Sequence, residues 1–438
     1  MTRKYLISFS LLLMASQAFP QSTAKIKSWA ADMLSDSAFQ TAHTGIYIED
    51  IQSGKTWFQY QGNKFFQPAS NTKIITLFSA LSFLGDSLPA ARIWENDTAI
   101  WIKGTGDPSF LHPDFKDRQP LYQLLSTTAK HIYLVPAVNE NTRFGPGWAW
   151  GDYPDYYQPE RNELPMYGNI ARINWHQGKY HIIPGFPIHI QSTPDSTENT
   201  YANRDERKNE FYLHYKKEDT SRFISDVPFI TGDLQQVAFR LQDTLHKAVN
   251  TWHQANNIPA HGTGRLLHSR PLDSLLIPFM HHSDNFFAEQ LLMMISAEQF
   301  DTIATARVIK KVKGELLNEF PQDPQWADGS GLSRYNLFSP MDFVYVLKKL
   351  YNQFPKERLF QIFATGGKGT LKYYFREAPN AVFAKTGTLN GCVALSGYLI
   401  THKGRTLAFS ILVNNHHATS TQIRRGTEAF LVKIYQQY

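Results

Sequence analysis

The chain has 438 residues, a formal net charge of +6 and a single cysteine, Cys392. Apolar residues make up 42% and charged ones 19%, enough to bury a large core, which excludes a wholly disordered chain. One cysteine excludes an internal disulfide, a CxxC metal site and an iron–sulfur cluster. The basic residues form no block of the kind that binds nucleic acid.

Arg3 and Lys4 precede the apolar stretch Tyr5 to Ala15, and Ser16-Gln17-Ala18 fits a small-x-small cleavage site. Residues 1–18 therefore read as a secretory signal. The protein is expected outside the cytoplasm, in a periplasm, where ATP is not a substrate. No other apolar run reaches the roughly 18 residues that a spanning helix needs, so no stable membrane span is expected after cleavage.

The spacing predicts a helix over Ser22 to Leu34, with Ser22 as N-cap and Ile26, Trp29, Ala30 and Met33 on one face. Gly45 to Asp50 and Thr56 to Tyr60 read as strands around the turn Gln52 to Lys55. A second helix follows Pro68, with Ile74, Leu77, Phe78, Leu81 and Leu84 on its apolar face, and Gly85 ends it. From Pro89 to Thr231 short β-like runs dominate. They include Ala99 to Ile102, Ile132 to Val135, and Ile173 to Trp175 facing Tyr180 to Ile183 across Gln177-Gly178. Helical texture returns over Gln235 to Ala255, Pro271 to Met280, Asn285 to Ala297, Thr302 to Glu319 and Asp342 to Tyr351. Val393 to Ile400 and Thr406 to Val413 form a hairpin around His402-Lys403-Gly404. A last helix over Thr421 to Tyr438 turns Ile423, Leu431, Ile434 and Tyr435 to the core. The expected class is α+β: an antiparallel sheet with helices packed on it, gathering both chain ends and interrupted by a β-rich insertion.

Three short motifs carry chemistry, in order. They are Ser70-Asn71-Thr72-Lys73, Ser283-Asp284-Asn285 and Lys385-Thr386-Gly387, the last followed by Thr388. Together they form an SxxK, SxN, KTG set. Three residues are nearly one helical turn, so Lys73 shares a face with Ser70. An amine there accepts the hydroxyl proton if burial or a neighbouring cation keeps it neutral. A loop between two helices presents Ser283 and Asn285 to one cleft, and Ser283 also suits a helix N-cap. Lys385 follows the strand-like run Ala381 to Ala384, and Gly387 leaves room for close approach of a substrate. A second SxxK, Ser22 to Lys25, reads as a cap and a solvated lysine. Cys392 reads as a buried small apolar residue.

Several stretches resemble the D-alanyl-D-alanine carboxypeptidase family typified by penicillin-binding protein 4, peptidase family S13. They are Pro68-Ala-Ser-Asn-Thr-Lys73, Gly104-Thr-Gly-Asp-Pro108, Gly145-Pro-Gly-Trp148, Asp328-Gly-Ser-Gly-Leu-Ser-Arg334, Gly369-Thr-Leu371 and Ala384-Lys-Thr-Gly-Thr-Leu389. Asn169-Ile170-Ala171 lacks the second residue of that family's Asn-x-Asn pair.

The resemblance implies a serine β-lactamase/transpeptidase-like domain, with helices on both faces of its sheet, built from residues 19–88 and 236–438. Residues 89–235 would be the inserted β-rich part. It implies a serine D,D-peptidase acting on peptidoglycan stem peptides at D-Ala-D-Ala, and on D,D-crosslinks. β-Lactams would be its covalent inhibitors, and no cofactor or metal is implied. Ser70 would be the nucleophile and Lys73 its base, with Ser283, coupled to Lys73 or Lys385, returning a proton to the leaving group. The Ser70 and Thr388 N–H groups would form the oxyanion hole, Asn285 would bind the stem, and Lys385, Thr386 and Thr388 the terminal carboxylate. Two other readings are a β-lactamase-like or esterase-like hydrolase and an inactive cell-wall-binding protein. The nearest match to a glutamate and asparagine that position a deacylating water is Glu315 to Asn318, which reads as a solvated helix face. His281-His282 and His416-His417 are adjacent pairs whose side chains diverge, a poor pattern for a metal. Oligomeric state is left open.

Overall fold

The computed structural model describes residues 18–193, 199–216, 221–254, 257–260 and 264–438. The expected signal, apart from Ala18, lies outside the described residues. Six strands build the main sheet: β1 (His43–Asp50), β2 (Thr56–Tyr60), β3 (Ala364–Thr365), β4 (Val382–Leu389), β5 (Cys392–Ile400) and β6 (Thr406–Asn414). Their order is β3-β4-β5-β6-β1-β2, antiparallel throughout. Both chain ends thus meet at the β1–β6 pairing, with Ile46 opposite Ile411.

β6 is buried along its whole length, and its side chains alternate between two cores. Ala408 and Leu412 face one core, formed with helices α2 (Lys73–Phe83), α3 (Asp273–His281), α4 (Asn285–Phe300) and α5 (Pro340–Gln353). Leu407, Phe409, Ile411 and Val413 face the other, shared with α1 (Ala18–Ser35) and α6 (Ser420–Gln437). α4 is apolar all round and buried from Phe286 to Ser296, as a central helix must be. α5 starts where Ser339 and Asp342 form a capping box with Pro340 between them.

Among the described residues the rest of the chain builds three further sheets. One has five strands in the order Val249–Thr251, His131–Leu134, Ala99–Gly104, Ser87–Glu95, Arg265–Pro271. Two three-stranded sheets share a core containing Ile173, Trp175, Phe211, Leu213 and Val227. The expected hairpin is present, with Ile173 opposite Ile182 and Trp175 opposite Tyr180.

The structure departs from expectation at four elements. The helix expected over Gln235 to Ala255 spans Leu234–Leu245, because His246 turns left-handed (φ 53°). Val249–Thr251 then joins the five-stranded sheet, parallel to His131–Leu134. Arg265–Pro271 pairs with Ser87–Glu95, so this sheet draws strands from both sides of residue 235. Ser22 lies within α1 rather than capping it, while Lys25 is exposed. The helix expected over Thr302 to Glu319 is Thr305–Lys311 followed by a wider turn, Val312–Leu316, in which the Leu317 N–H reaches back to the Val312 carbonyl. Among the described residues no helix is long and apolar enough to cross a membrane.

Candidate active site

Ser70 sits in the tight turn Ala69–Thr72 that runs straight into α2. Ala69 is held at φ 48°, a conformation that costs a non-glycine residue energy and turns the chain sharply before Ser70. Lys73 opens α2 and is fully buried. Its Nζ lies 3.0 Å from Ser70 Oγ, 2.6 Å from Asn285 Oδ1 and 2.6 Å from the Ser330 carbonyl. A neutral amine has two N–H donors and one lone pair. Donors aimed at the two carbonyl oxygens leave the lone pair facing the Ser70 hydroxyl. Burial pulls the Lys73 amine down to a pKa of about 8, against the opposing pull of Asp328, Asp284 and Glu289.

A second lysine–serine pair stands beside the first. Lys385 projects from β4, fully buried, and its Nζ donates to Ser283 Oγ at 2.8 Å and to the Thr386 carbonyl at 2.7 Å. Burial, reinforced by the positive charges of Lys73 and Arg424, holds this amine well below the ordinary lysine value. Ser283 occupies the bend between α3 and α4 at φ 58°. It does not cap α4. Asp284 does, its Oδ1 accepting the Phe287 N–H at 2.8 Å. This frees the Ser283 hydroxyl for Lys385. Asn285, two residues on, holds Lys73 through its oxygen and the Tyr157 carbonyl through its nitrogen at 2.9 Å.

Two glycines let the walls close on Ser70. A methyl group added at Gly387 would lie 2.7 Å from the Pro68 carbonyl and 3.1 Å from the Ser70 nitrogen. The space where a Gly387 side chain would stand is therefore filled by the Ser70 turn. One added at Gly331 would lie 2.0 Å from the Ala69 carbonyl. Asn71 ties the same turn to β5 through Ser396 (2.6 Å) and, by its amide N–H, to the Lys385 carbonyl (2.8 Å).

The Ser330 carbonyl is aimed by a carboxylate framework that the motifs did not reveal. Asp328 accepts hydrogen bonds from the Gly331 and Ser333 N–H groups (2.8 and 2.7 Å), from Asn336 Nδ2 (2.7 Å) and from Trp148 Nε1 (2.9 Å). Glu289, one helical turn beyond Asn285, accepts the Ser330 N–H at 2.8 Å and pairs with buried Arg161 at 3.3 Å. Burial raises the pKa of Glu289, and Asp328 raises it further. The only trace of Glu289 in the sequence is an acid set within the apolar half of α4. Trp148 and Asp328 lie in stretches already noted, but no role for them could be read there.

Ser70, Ser283, Asn285, Thr386 and Thr388 all line one cleft of about 1310 Å³, with the two lysine amines beneath its floor. Thr386 is buried, whereas Thr388 is exposed at the end of β4 and takes a hydrogen bond from Arg424. Arg424 is a cleft cation that the motifs did not announce. Glu315 is exposed and paired with Lys311, and Asn318 is exposed as expected. Cys392 is buried, and burial pushes its thiol pKa up.

The chain is similar to known proteins in sequence and in fold. The chain is 25% identical over 435 residues to the D-alanyl-D-alanine carboxypeptidase DacB of Haemophilus influenzae, covering 86% of each. Its fold matches the crystal structure of penicillin binding protein 4 (dacB) from Haemophilus influenzae with a TM-score of 0.73 at 21% identity, covering 93% of this chain and 99% of that one. The same protein complexed with a novel beta-lactam matches with a TM-score of 0.68 at 20% identity, over 93% and 99% of the two chains. The family model of the D-Ala-D-Ala carboxypeptidase 3 (S13) family matches residues 27–434, and the chain belongs to that family.

Proposed function

We propose that the protein is an exported, periplasmic serine D,D-peptidase that cleaves the terminal D-Ala-D-Ala bond of peptidoglycan stem peptides. The observation that carries this reading is the pair of buried lysine–serine contacts, Lys73 with Ser70 and Lys385 with Ser283, on one cleft. Ser70 Oγ attacks the carbonyl of the penultimate D-Ala while neutral Lys73 takes its proton. The N–H groups of Ser70 and Thr388 stabilise the oxyanion. As the C–N bond breaks, the proton held by Lys73 is returned to the departing D-Ala nitrogen through Ser283, coupled to Lys73 or Lys385, and Lys73 is neutral again. Water then hydrolyses the ester, freeing Ser70 and the shortened stem. Asn285 contacts the stem, and Lys385, Thr386 and Thr388 hold the terminal carboxylate. Crosslinks of the same D,D type are substrates by the same steps.

β-Lactams acylate the same serine, and among the described residues no glutamate lines the cleft to speed deacylation. A catalytic unit made of residues 19–88 and the chain from about residue 272 onward suits this reading better than a boundary at 236, since Arg265–Pro271 belongs to the five-stranded sheet.

The test is intact-protein mass after mixing with benzylpenicillin, with Ser70→Ala alongside, followed by D-Ala release from a pentapeptide. The expected result is a stable one-to-one adduct and D-Ala release, both absent from the variant. Intact antibiotic with no adduct would favour the inactive binding protein. Destroyed antibiotic with no adduct would favour a β-lactamase.

A further inference from the structure

A second cavity of about 1050 Å³ adjoins the cleft. It lies between the loop Leu111 to Gln119 and the sheet formed by Ile170–His176, Lys179–Ile183 and Phe223–Pro228. His112, Phe115 and Arg172 line both cavities, so the two lie on either side of one wall. That shared wall is firmly built. The buried His112 ring packs 5.3 Å from both Phe115 and Phe287 of α4, and Arg172 bonds Asp226 at 2.7 Å and also Asp114.

The charge of Arg172 is therefore neutralised, but that of three other lining cations is not. Lys116, Lys179 and Arg222 are exposed and make no ion pair among the described residues. Among the described residues no Asp or Glu lines this groove. Tyr180 and Ile224 add exposed apolar surface, at 47% and 50% exposure. Three unpaired cations over a partly apolar floor attract a chain that carries carboxylates.

We infer that this groove binds a carboxylate-bearing segment of the same peptidoglycan strand whose stem end occupies the cleft. The inference rests on the proposed peptidase activity, because a groove that shares a wall with the cleft lies within reach of the strand whose stem end the cleft holds. Free carboxylates on neighbouring stems meet Lys116, Lys179 and Arg222. The groove thus favours polymer over isolated stem peptide.

The test compares the wild type with the triple charge reversal Lys116→Glu, Lys179→Glu, Arg222→Glu. Co-sedimentation with insoluble peptidoglycan is measured in a Ser70→Ala background, so binding is read without turnover. The expected result is at least about a tenfold loss of binding and a weaker salt dependence. D-Ala release from polymer falls similarly, while benzylpenicillin acylation stays within about twofold. Unchanged sedimentation and unchanged polymer turnover would overturn the inference. So would equal loss of heparin binding without loss of polymer turnover, which would mark a general polyanion surface. A wild type inert toward pentapeptide but losing sedimentation on charge reversal would instead sink the peptidase reading and keep the groove.

Discussion

Acylation of Ser70 should follow the titration of Lys73. With the amine at a pKa of about 8, about 10% is neutral at pH 7, about 50% at pH 8 and about 90% at pH 9. The acylation rate constant for a chromogenic β-lactam should rise about tenfold from pH 6 to pH 7 and level off above about pH 9. Lys73→Arg, whose guanidinium does not deprotonate, should lose acylation about a thousandfold or more at every pH. The same shift has a stability consequence with a definite sign. The folded-state pKa is lowered from 10.5 to about 8. Below about pH 8 both states hold the proton and folding bears the full burial cost, on the order of 3 kcal/mol. The cost fades as pH rises through 8 to 10.5, where only the unfolded chain still binds the proton. The unfolding free energy of Lys73→Met relative to the native chain should therefore fall by about 3 kcal/mol between pH 7 and pH 11. A rate flat from pH 6 to 9, or one still climbing tenfold per pH unit past 9.5, would refute the buried neutral amine.

Other positions make separate predictions. Gly387→Ala forces a methyl against the Pro68 carbonyl at 2.7 Å. Stopped-flow acylation should slow by about 100-fold, and thermal unfolding should show about 1–3 kcal/mol of overpacking. Arg161→Ala leaves Glu289 buried without its cation, and denaturant titration should show a loss of about 3–5 kcal/mol. Tyr398 Oη donates to the Leu347 carbonyl at 2.8 Å between β5 and α5. Tyr398→Phe should cost about 1 kcal/mol in the same titration and leave acylation unchanged.

Local chemistry was legible wherever it depends on near neighbours in the chain. The three-residue spacing of Ser70 and Lys73 on a helix start is such a case, and so are the hairpin around Gln177-Gly178 and the strand that carries Lys385. The helix stop at His246 was not legible, because a left-handed histidine there is enforced by the strand that follows and not by a glycine. Nor was the capping role of Asp284. Ser283 and Asp284 both suit an N-cap, and only the bend at Ser283 decides between them. The residues that set the charge of Lys73 were hidden for a deeper reason. A backbone carbonyl such as that of Ser330 has no signature in a sequence, and the effect of Asp328, Glu289 or burial on a pKa depends on distance and solvent exclusion. Gly387 shows the same division: its lack of a side chain is plain in the sequence, but only packing shows that the space admits the Ser70 turn. Residue order alone sets the local spacing of the candidate groups, since period and propensity act over one or two turns. Packing across the chain sets Lys73 against Asn285 and the Ser330 carbonyl, and Lys385 against Ser283, because those contacts join segments 102 to 257 residues apart.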